Sequence, residues 1–283
     1  MYVLAIALAP LAAGCGSGDE ASDKELFGDT ASTSAASSRP TIEGLFDVGG
    51  RKLYLRCTGS GSPTVVFLHG SVQSAGDGDH RAAGKLPSLL EDDRRVCVYD
   101  RANVGRSDEV RGRVTGRDSA KDLHALLEVA KVRGPYVLVG QSLGGAISDL
   151  YAAAYPTEVA GMVLLDSTLP AYLGMYKRLY PPGSGPQPDE WKHETERLDR
   201  LATFRQTGTI QHRRARIPVT YIAAKLVVAP NIASAIRSAQ EAFVRRFAPG
   251  RRIEVEAPHG MVAVIPQQIA HEVEQVIAAA ERH

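Results

Sequence analysis

The segment that most constrains the fold is a serine enclosed by glycines, where two unlike patterns meet. Before it, Tyr136-Val137-Leu138-Val139 is short, apolar and typical of a buried strand. After it, residues 145–154 are rich in alanine and predict a helix that ends before Pro156. The junction is Gly140-Gln141-Ser142-Leu143-Gly144, a G-x-S-x-G pentapeptide. Strand, pentapeptide and helix in this order predict a sharp turn with Ser142 at its tip.

The glycines have a physical role in such a turn. Strand and helix can pack closely there because the neighbours of the serine lack a Cβ atom. The turn raises the Ser142 hydroxyl above the sheet, next to a helix N-terminus, which is the arrangement of a nucleophile elbow. The alternative is a chance match in a chain with 27 glycines. The flanking strand and helix favour the elbow.

Length and charge bound the remaining choices. The chain has 283 residues and is 44% hydrophobic, enough for a substantial core. Its 33 Lys and Arg nearly balance 32 Asp and Glu, and no basic stripe stands out. Nucleic acid is therefore not expected as a partner.

The N-terminal segment indicates export. Residues 1–14 are apolar, too short to span a membrane, and typical of a signal peptide. Leu11-Ala12-Ala13-Gly14-Cys15 resembles a bacterial lipoprotein signal, in which cleavage precedes a cysteine that then carries lipid. Residues 15–40 have the composition of a flexible tether. A buried N-terminal helix is the alternative. We expect a bacterial lipoprotein at the cell surface or on the periplasmic side, held to the membrane through Cys15.

From about residue 41, apolar strands alternate with helical patterns. The predicted strands of this part are residues 64–68, 95–99, 135–139, 161–165, 217–222 and 252–256. Continuous apolar strands between amphipathic helices predict an α/β fold with a mostly parallel central sheet. Gly49-Gly50 predicts an antiparallel hairpin at one edge of that sheet. Residues 167–212 depart from this rhythm and are interpreted as a small cap over the site.

The chain from about Thr41 to its last residue resembles the α/β-hydrolase fold family. The resemblance rests on His69-Gly70 after a strand, Tyr99-Asp100-Arg101 followed by Gly105-Arg106-Ser107, the elbow, and the late Pro258-His259-Gly260. It implies a central sheet with helices on both faces. It also implies the chain order nucleophile, acid, histidine.

Ser142 requires a base, and His259 follows the last predicted strand, where elbow and histidine loops converge. A surface-loop histidine is the alternative. The acid is less evident, since no carboxylate follows residues 217–222 before Glu241. Asp166, at the end of the preceding strand, is the first candidate to orient the imidazole. Its alternative role is to cap the next segment, and Asp149 on the elbow helix is a second candidate.

The resemblance also implies an oxyanion hole and a disulfide. The backbone N–H groups of Leu143 and Ser71 are expected to hold the oxyanion. The strands that carry Cys57 and Cys97 are expected to be neighbours, so these cysteines either form a disulfide or remain two buried thiols.

These features together predict an exported serine hydrolase that cleaves a carboxylic ester or related acyl bond of a small molecule through Ser142, His259 and Asp166. No metal or organic cofactor is implied. A peptidase, thioesterase or lactonase of the same fold remains open, and so does a non-catalytic ligand-binding or sensor protein. The serine argues against the epoxide hydrolases and haloalkane dehalogenases of the family, which use an aspartate nucleophile.

Overall fold

An eight-stranded sheet forms the centre of the fold. The computed structural model describes residues 41–71, 82–179, 196–210, 216–226 and 228–282. The expected signal peptide (1–14), Cys15 and tether (15–40) lie outside the described residues, as do residues 180–195 of the expected cap.

The strands are β1 (Ile42–Asp47), β2 (Lys52–Thr58), β3 (Thr64–Leu68), β4 (Val96–Tyr99), β5 (Tyr136–Gln141), β6 (Val159–Leu165), β7 (Val219–Ala224) and β8 (Gly250–Val255). The helices are α1 (Leu86–Leu90), α2 (Gly116–Val129), α3 (Leu143–Ala154), α4 (Pro170–Leu179), α5 (Arg200–Gly208), α6 (Pro230–Val244) and α7 (Pro266–Ala280).

The sheet is mostly parallel, as predicted. Its order is β1-β2-β4-β3-β5-β6-β7-β8. β1 pairs with β2 and β2 with β4 in antiparallel fashion, while all other neighbours are parallel. The Gly49-Gly50 hairpin therefore lies at the sheet edge, where the sequence predicted it.

Each face of the sheet packs against its own helices. Alternate residues of β3 enter different hydrophobic clusters: Val66 and Leu68 join one, Val65 and Phe67 the other. Since successive side chains of a strand point to opposite faces, the clusters lie on opposite sides of the sheet. The first contains α2 and α3, through residues such as Leu123, Leu126, Ile147 and Leu150. The second contains α7, through Ile269, Val273, Val276 and Ile277. Both predicted amphipathic helices are confirmed.

The chain reverses its winding direction between β3 and β5. β4 lies on one side of β3 and β5 on the other. In open α/β sheets, the loops at the carboxyl ends of two such strands diverge and leave a crevice for ligand. Ser142 follows β5 and His69-Gly70 follows β3, so the fold places both segments beside this crevice.

The segment between β6 and β7 contains α4 and α5 among its described residues. Asp199 caps α5, since its side chain accepts a hydrogen bond from the N–H of Ala202 at 2.8 Å. A single bridge joins Leu198 to Val114, which precedes α2. This part of the expected cap is thereby attached to the loop after β4.

Cys57 and Cys97 form a disulfide between β2 and β4. The antiparallel register places the two residues directly opposite each other, and both are buried. Of the two alternatives that the sequence left open, the disulfide is the one found.

Candidate active site

Ser142 occupies a strained turn between β5 and α3. Its backbone has φ 51° and ψ −115°, a conformation that residues with a Cβ atom rarely adopt. Its carbonyl oxygen accepts hydrogen bonds from the N–H of Thr168 at 3.0 Å and from Gly145 at 3.2 Å. The predicted strand–turn–helix is present, and the surrounding backbone holds the serine in this conformation.

The elbow is packed too tightly for side chains at its glycines. A Cβ atom on Gly144 would lie 2.1 Å from the carbonyl oxygen of Leu68, at the end of β3. A Cβ atom on Gly140 would lie 2.6 Å from the Cα of Gly145. These neighbours are backbone atoms, so they cannot move aside as a side chain can. The glycines permit the approach of helix to strand that the sequence predicted.

His259 is hydrogen-bonded to Asp166. The Nδ1 atom of His259 lies 2.7 Å from Oδ2 of Asp166. The side chain of His259 is 42% exposed and that of Asp166 is 17% exposed. The backbone carbonyl of His259 also accepts a hydrogen bond from Nε2 of Gln141, the residue before the serine, at 3.2 Å. Gln141 thus connects the histidine loop to the elbow.

Asp166 reaches the end of the neighbouring strand. Its N–H donates to the carbonyl of Ile222 at 2.7 Å, and its Oδ1 accepts from the N–H of Ala224 at 3.4 Å. Its φ of 40° turns the chain directly after β6. The carboxylate therefore lies where β7 ends, which is the strand after which the sequence offers no acid.

The second candidate acid takes another place. Asp149 lies within α3 and is almost fully buried. Among the hydrogen bonds of the described residues, the acid on Nδ1 of His259 is Asp166.

The loop after β3 lies against the serine. A Cβ atom on Gly70 would be 3.3 Å from Cβ and 3.9 Å from Oγ of Ser142. Ser71 follows Gly70 directly and is partly exposed. On the other side of the serine, Leu143 begins α3 and is buried. The expected oxyanion donors, Ser71 and Leu143, thus directly follow Gly70 and Ser142, two residues that lie close together at the elbow.

His69 has a supporting position beside Arg101. Its side chain is buried, with Nδ1 2.9 Å from Nη2 of Arg101 and 2.6 Å from the Gly70 oxygen. Burial, with the Arg101 charge as a second cause, holds the pKa of His69 well below its ordinary value.

Several supporting residues were missed by the sequence analysis. Ser167 donates through Oγ to the Ser142 carbonyl at 3.2 Å and accepts at its own carbonyl from the Tyr221 hydroxyl at 2.5 Å. Arg101 and Glu196 form a buried ion pair. Arg101 stands in the Tyr99-Asp100-Arg101 segment that carries the family resemblance, two residues after β4, but its pairing with a glutamate was not expected. No local pattern indicates Glu196, which is 95 positions away.

The described residues contain no cluster of His, Cys, Asp and Glu with the arrangement of a metal site. Within the same residues, no helix is both long and apolar enough to cross a membrane.

A cavity of about 690 Å³ lies at the amino ends of the strands and is lined by residues such as Pro135, Val159, Pro218 and Pro249. It is at the opposite sheet edge from Ser142.

Comparison with known proteins agrees with this fold. The family model of the alpha/beta hydrolase fold matches residues 63–218, more than half of the chain. The chain belongs to the α/β-hydrolase fold family.

Individual relatives cover only part of this chain. The uncharacterized protein YqjL of Bacillus subtilis is 36% identical over 112 residues, which are 39% of this chain and 42% of YqjL. A proline iminopeptidase of Lactobacillus helveticus is 34% identical over 134 residues, 45% of this chain and 44% of that protein. The chain thus spans less than half the length of these curated relatives.

Solved structures resemble the chain over most of its length. An esterase from Thermogutta terrifontis has a TM-score of 0.60 and 17% identity, with 85% of this chain and 99% of that one covered. An epoxide hydrolase mutant from Vigna radiata has a TM-score of 0.62 and 15% identity, with 84% and 98% covered. At this level of identity, the likeness concerns the fold.

Proposed function

We propose that the chain is a serine hydrolase that cleaves a carboxylic ester, or a related acyl bond, of a small-molecule substrate. The observation that carries the proposal is the pairing of two features. Ser142 stands on a strained elbow, and His259 bonds through Nδ1 to Asp166 at 2.7 Å. This hydrogen bond leaves Nε2 as the ring nitrogen that takes the serine proton.

In the proposed reaction, Oγ of Ser142 attacks the substrate carbonyl carbon as Nε2 of His259 accepts its proton. Asp166 holds the imidazole orientation and stabilises the imidazolium that forms. The N–H groups of Leu143 and Ser71 bind the oxyanion of the tetrahedral intermediate. The bond to the leaving alcohol then breaks, and the alcohol takes the proton from His259. Water attacks the acyl-enzyme by the same route, which releases the acid and restores Ser142.

The site carries a serine where epoxide hydrolases of this family use an aspartate. The proline iminopeptidase among the relatives favours acyl-transfer chemistry. A panel of p-nitrophenyl esters and proline p-nitroanilide separates ester from amide cleavage. We expect turnover of the esters.

The test of the serine is labelling with a fluorophosphonate, read by intact mass. We expect one adduct on the wild type and none on Ser142→Ala. His259→Gln should slow labelling strongly, whereas His271→Gln serves as a matched control because His271 lies exposed on α7. A folded wild type that gains no adduct would contradict the proposal and favour a ligand-binding protein.

We also propose export and membrane attachment through a lipidated Cys15. The disulfide between Cys57 and Cys97 supports export, because such bonds persist in oxidising compartments and are rare in the cytosol. Cys15→Ala should move the protein from the membrane to the soluble fraction, while Ser17→Ala, in the same tether, should leave it attached. Membrane association of Cys15→Ala would refute the anchor.

A further inference from the structure

A buried arginine connects the loop after β3 to a described part of the expected cap. The Arg101 side chain is 3% exposed and that of Glu196 is 2% exposed. Nε of Arg101 donates to Oε1 of Glu196 at 2.5 Å. Nη1 donates to the carbonyl of His69 at 2.8 Å, and Nη2 donates to the carbonyl of Gly70 at 2.7 Å. All three nitrogen atoms of the guanidinium therefore face fixed oxygen atoms.

Glu196 is itself held in place. Its backbone carbonyl accepts a hydrogen bond from Nδ2 of Asn103 at 3.1 Å. The next residue, Arg197, accepts at its carbonyl from the N–H of Val114 at 3.0 Å. Hydrogen bonds to the loop between β4 and α2 thus hold the backbone of Glu196, and the carboxylate that aligns Arg101 has a fixed position.

The two carbonyls belong to the loop from which an oxyanion donor is expected. The peptide bond between Gly70 and Ser71 is trans, so the Gly70 oxygen and the Ser71 N–H point in opposite directions. Arg101 holds the oxygen toward the buried side. The N–H of Ser71 consequently faces away from Arg101. A Cβ atom on Gly70 would lie 3.3 Å from Cβ of Ser142, so this peptide is close to the serine.

We propose that Arg101 is a positioning residue for the oxyanion hole: it fixes the Gly70–Ser71 peptide so that the Ser71 N–H faces the reacting carbonyl, and Glu196 fixes Arg101. The inference rests on the serine hydrolase function proposed above. A guanidinium suits the task because its donors form a rigid planar fork. A lysine at this position has one nitrogen and does not hold both carbonyls and the carboxylate in the same geometry.

If Arg101 only stabilised the fold, replacing it together with Glu196 would leave the turnover of the folded protein unchanged. Buried ion pairs are often replaced by apolar groups with little loss of stability, whereas removal of one partner leaves an unpaired charge. The informative variant is therefore the double change Arg101→Met with Glu196→Gln, which removes both charges together and leaves neither unpaired. The control is Arg94→Met with Glu274→Gln, a more exposed pair at the other sheet edge. There, Arg94 bonds a carboxylate through Nε and Nη2 and the carbonyl of Ser62 through Nη1.

The experiment measures kcat and KM on p-nitrophenyl butyrate, and the inhibition constant of a trifluoromethyl ketone that forms a tetrahedral adduct with serine. In the double variant we expect kcat to fall by about 10²–10³. The inhibition constant should rise in parallel, with KM within about twofold, because the donor acts on the oxyanion and not on the bound substrate. The control pair should leave kcat and the inhibition constant unchanged.

A folded double variant with wild-type kcat and inhibitor affinity would overturn the inference while the hydrolase function stands. If the double variant does not fold, Arg101→Lys decides. An intermediate loss of both quantities supports the positioning role, and wild-type values overturn it. A wild type that is inert to the fluorophosphonate, or as active as Ser142→Ala, overturns the proposed function and this inference with it.

Discussion

His259 and Asp166 are 93 positions apart in the chain, yet Nδ1 of the first lies 2.7 Å from Oδ2 of the second. The sheet order explains this contact. β6, which precedes Asp166, and β8, which precedes His259, are the two neighbours of β7. Their carboxyl-end loops meet across the end of that strand, where Ala224 bonds Asp166.

Asp166→Asn should lower kcat by about 10²–10⁴ with little change in thermal stability. The amide cannot stabilise an imidazolium and favours the wrong tautomer of His259. Asparagine suits the backbone, because it tolerates the positive φ found at this position. Ester hydrolysis and thermal unfolding measure the two effects.

Asp149→Asn is the comparison for that variant, since Asp149 is the other acid that the sequence offered. We expect it to retain turnover. The assignment of Asp166 fails if Asp166→Asn turns over normally, or if Asp149→Asn loses activity while its fold is intact.

Ser142→Gly should be more stable than Ser142→Ala by about 1 kcal/mol. A strained backbone conformation costs about 1–3 kcal/mol, and glycine removes that strain at an entropic cost of about 0.5–1 kcal/mol. Both variants lack the nucleophile, so the comparison isolates the backbone. Urea unfolding gives the difference.

Ser148 supplies the control, because it lies inside α3 with helical geometry. There the order should reverse, with glycine about 1 kcal/mol less stable than alanine. If the glycine variant is less stable than the alanine variant at both positions, the backbone of Ser142 is not strained.

Removal of the disulfide by Cys57→Ala with Cys97→Ala should lower the free energy of unfolding. The bond closes a loop with a sequence separation of 40, for which chain entropy predicts about 4 kcal/mol. Guanidinium unfolding of oxidised wild type, reduced wild type and the double variant measures the effect. If the protein purified under oxidising conditions has titratable thiols at Cys57 and Cys97, the disulfide is contradicted.

His69 should make the fold less stable as the pH falls below its ordinary pKa of 6.5. Burial holds the pKa of folded His69 well below that value, so the unfolded chain binds the proton more readily and gains stability from it. One such group contributes at most about 1.4 kcal/mol per pH unit. Urea unfolding between about pH 7.5 and 5 should show a shallower dependence in His69→Gln. An unchanged dependence would show that His69 does not set it.

The strand–turn–helix around Ser142, the two amphipathic helices and the edge hairpin were all predictable. Each is encoded by neighbours in the chain: alternation or continuity of apolar residues, helical spacing, and glycines at the turn. His259 was also recognisable as a candidate, because it follows the last apolar strand and so lies at the carboxyl ends of the strands, as Ser142 does.

Other features were decided only by the tertiary structure. The sequence left open whether Asp166 or Asp149 would lie against His259, and whether Cys57 and Cys97 would be bonded or free. It gave no sign that Glu196 would pair with Arg101. Each outcome depends on which strands become neighbours and in what register, and on the distance between groups far apart in the chain. The local sequence pattern determines which face of its own helix or strand a side chain lies on. Which residue that side chain meets depends on how the other helices and strands pack against it.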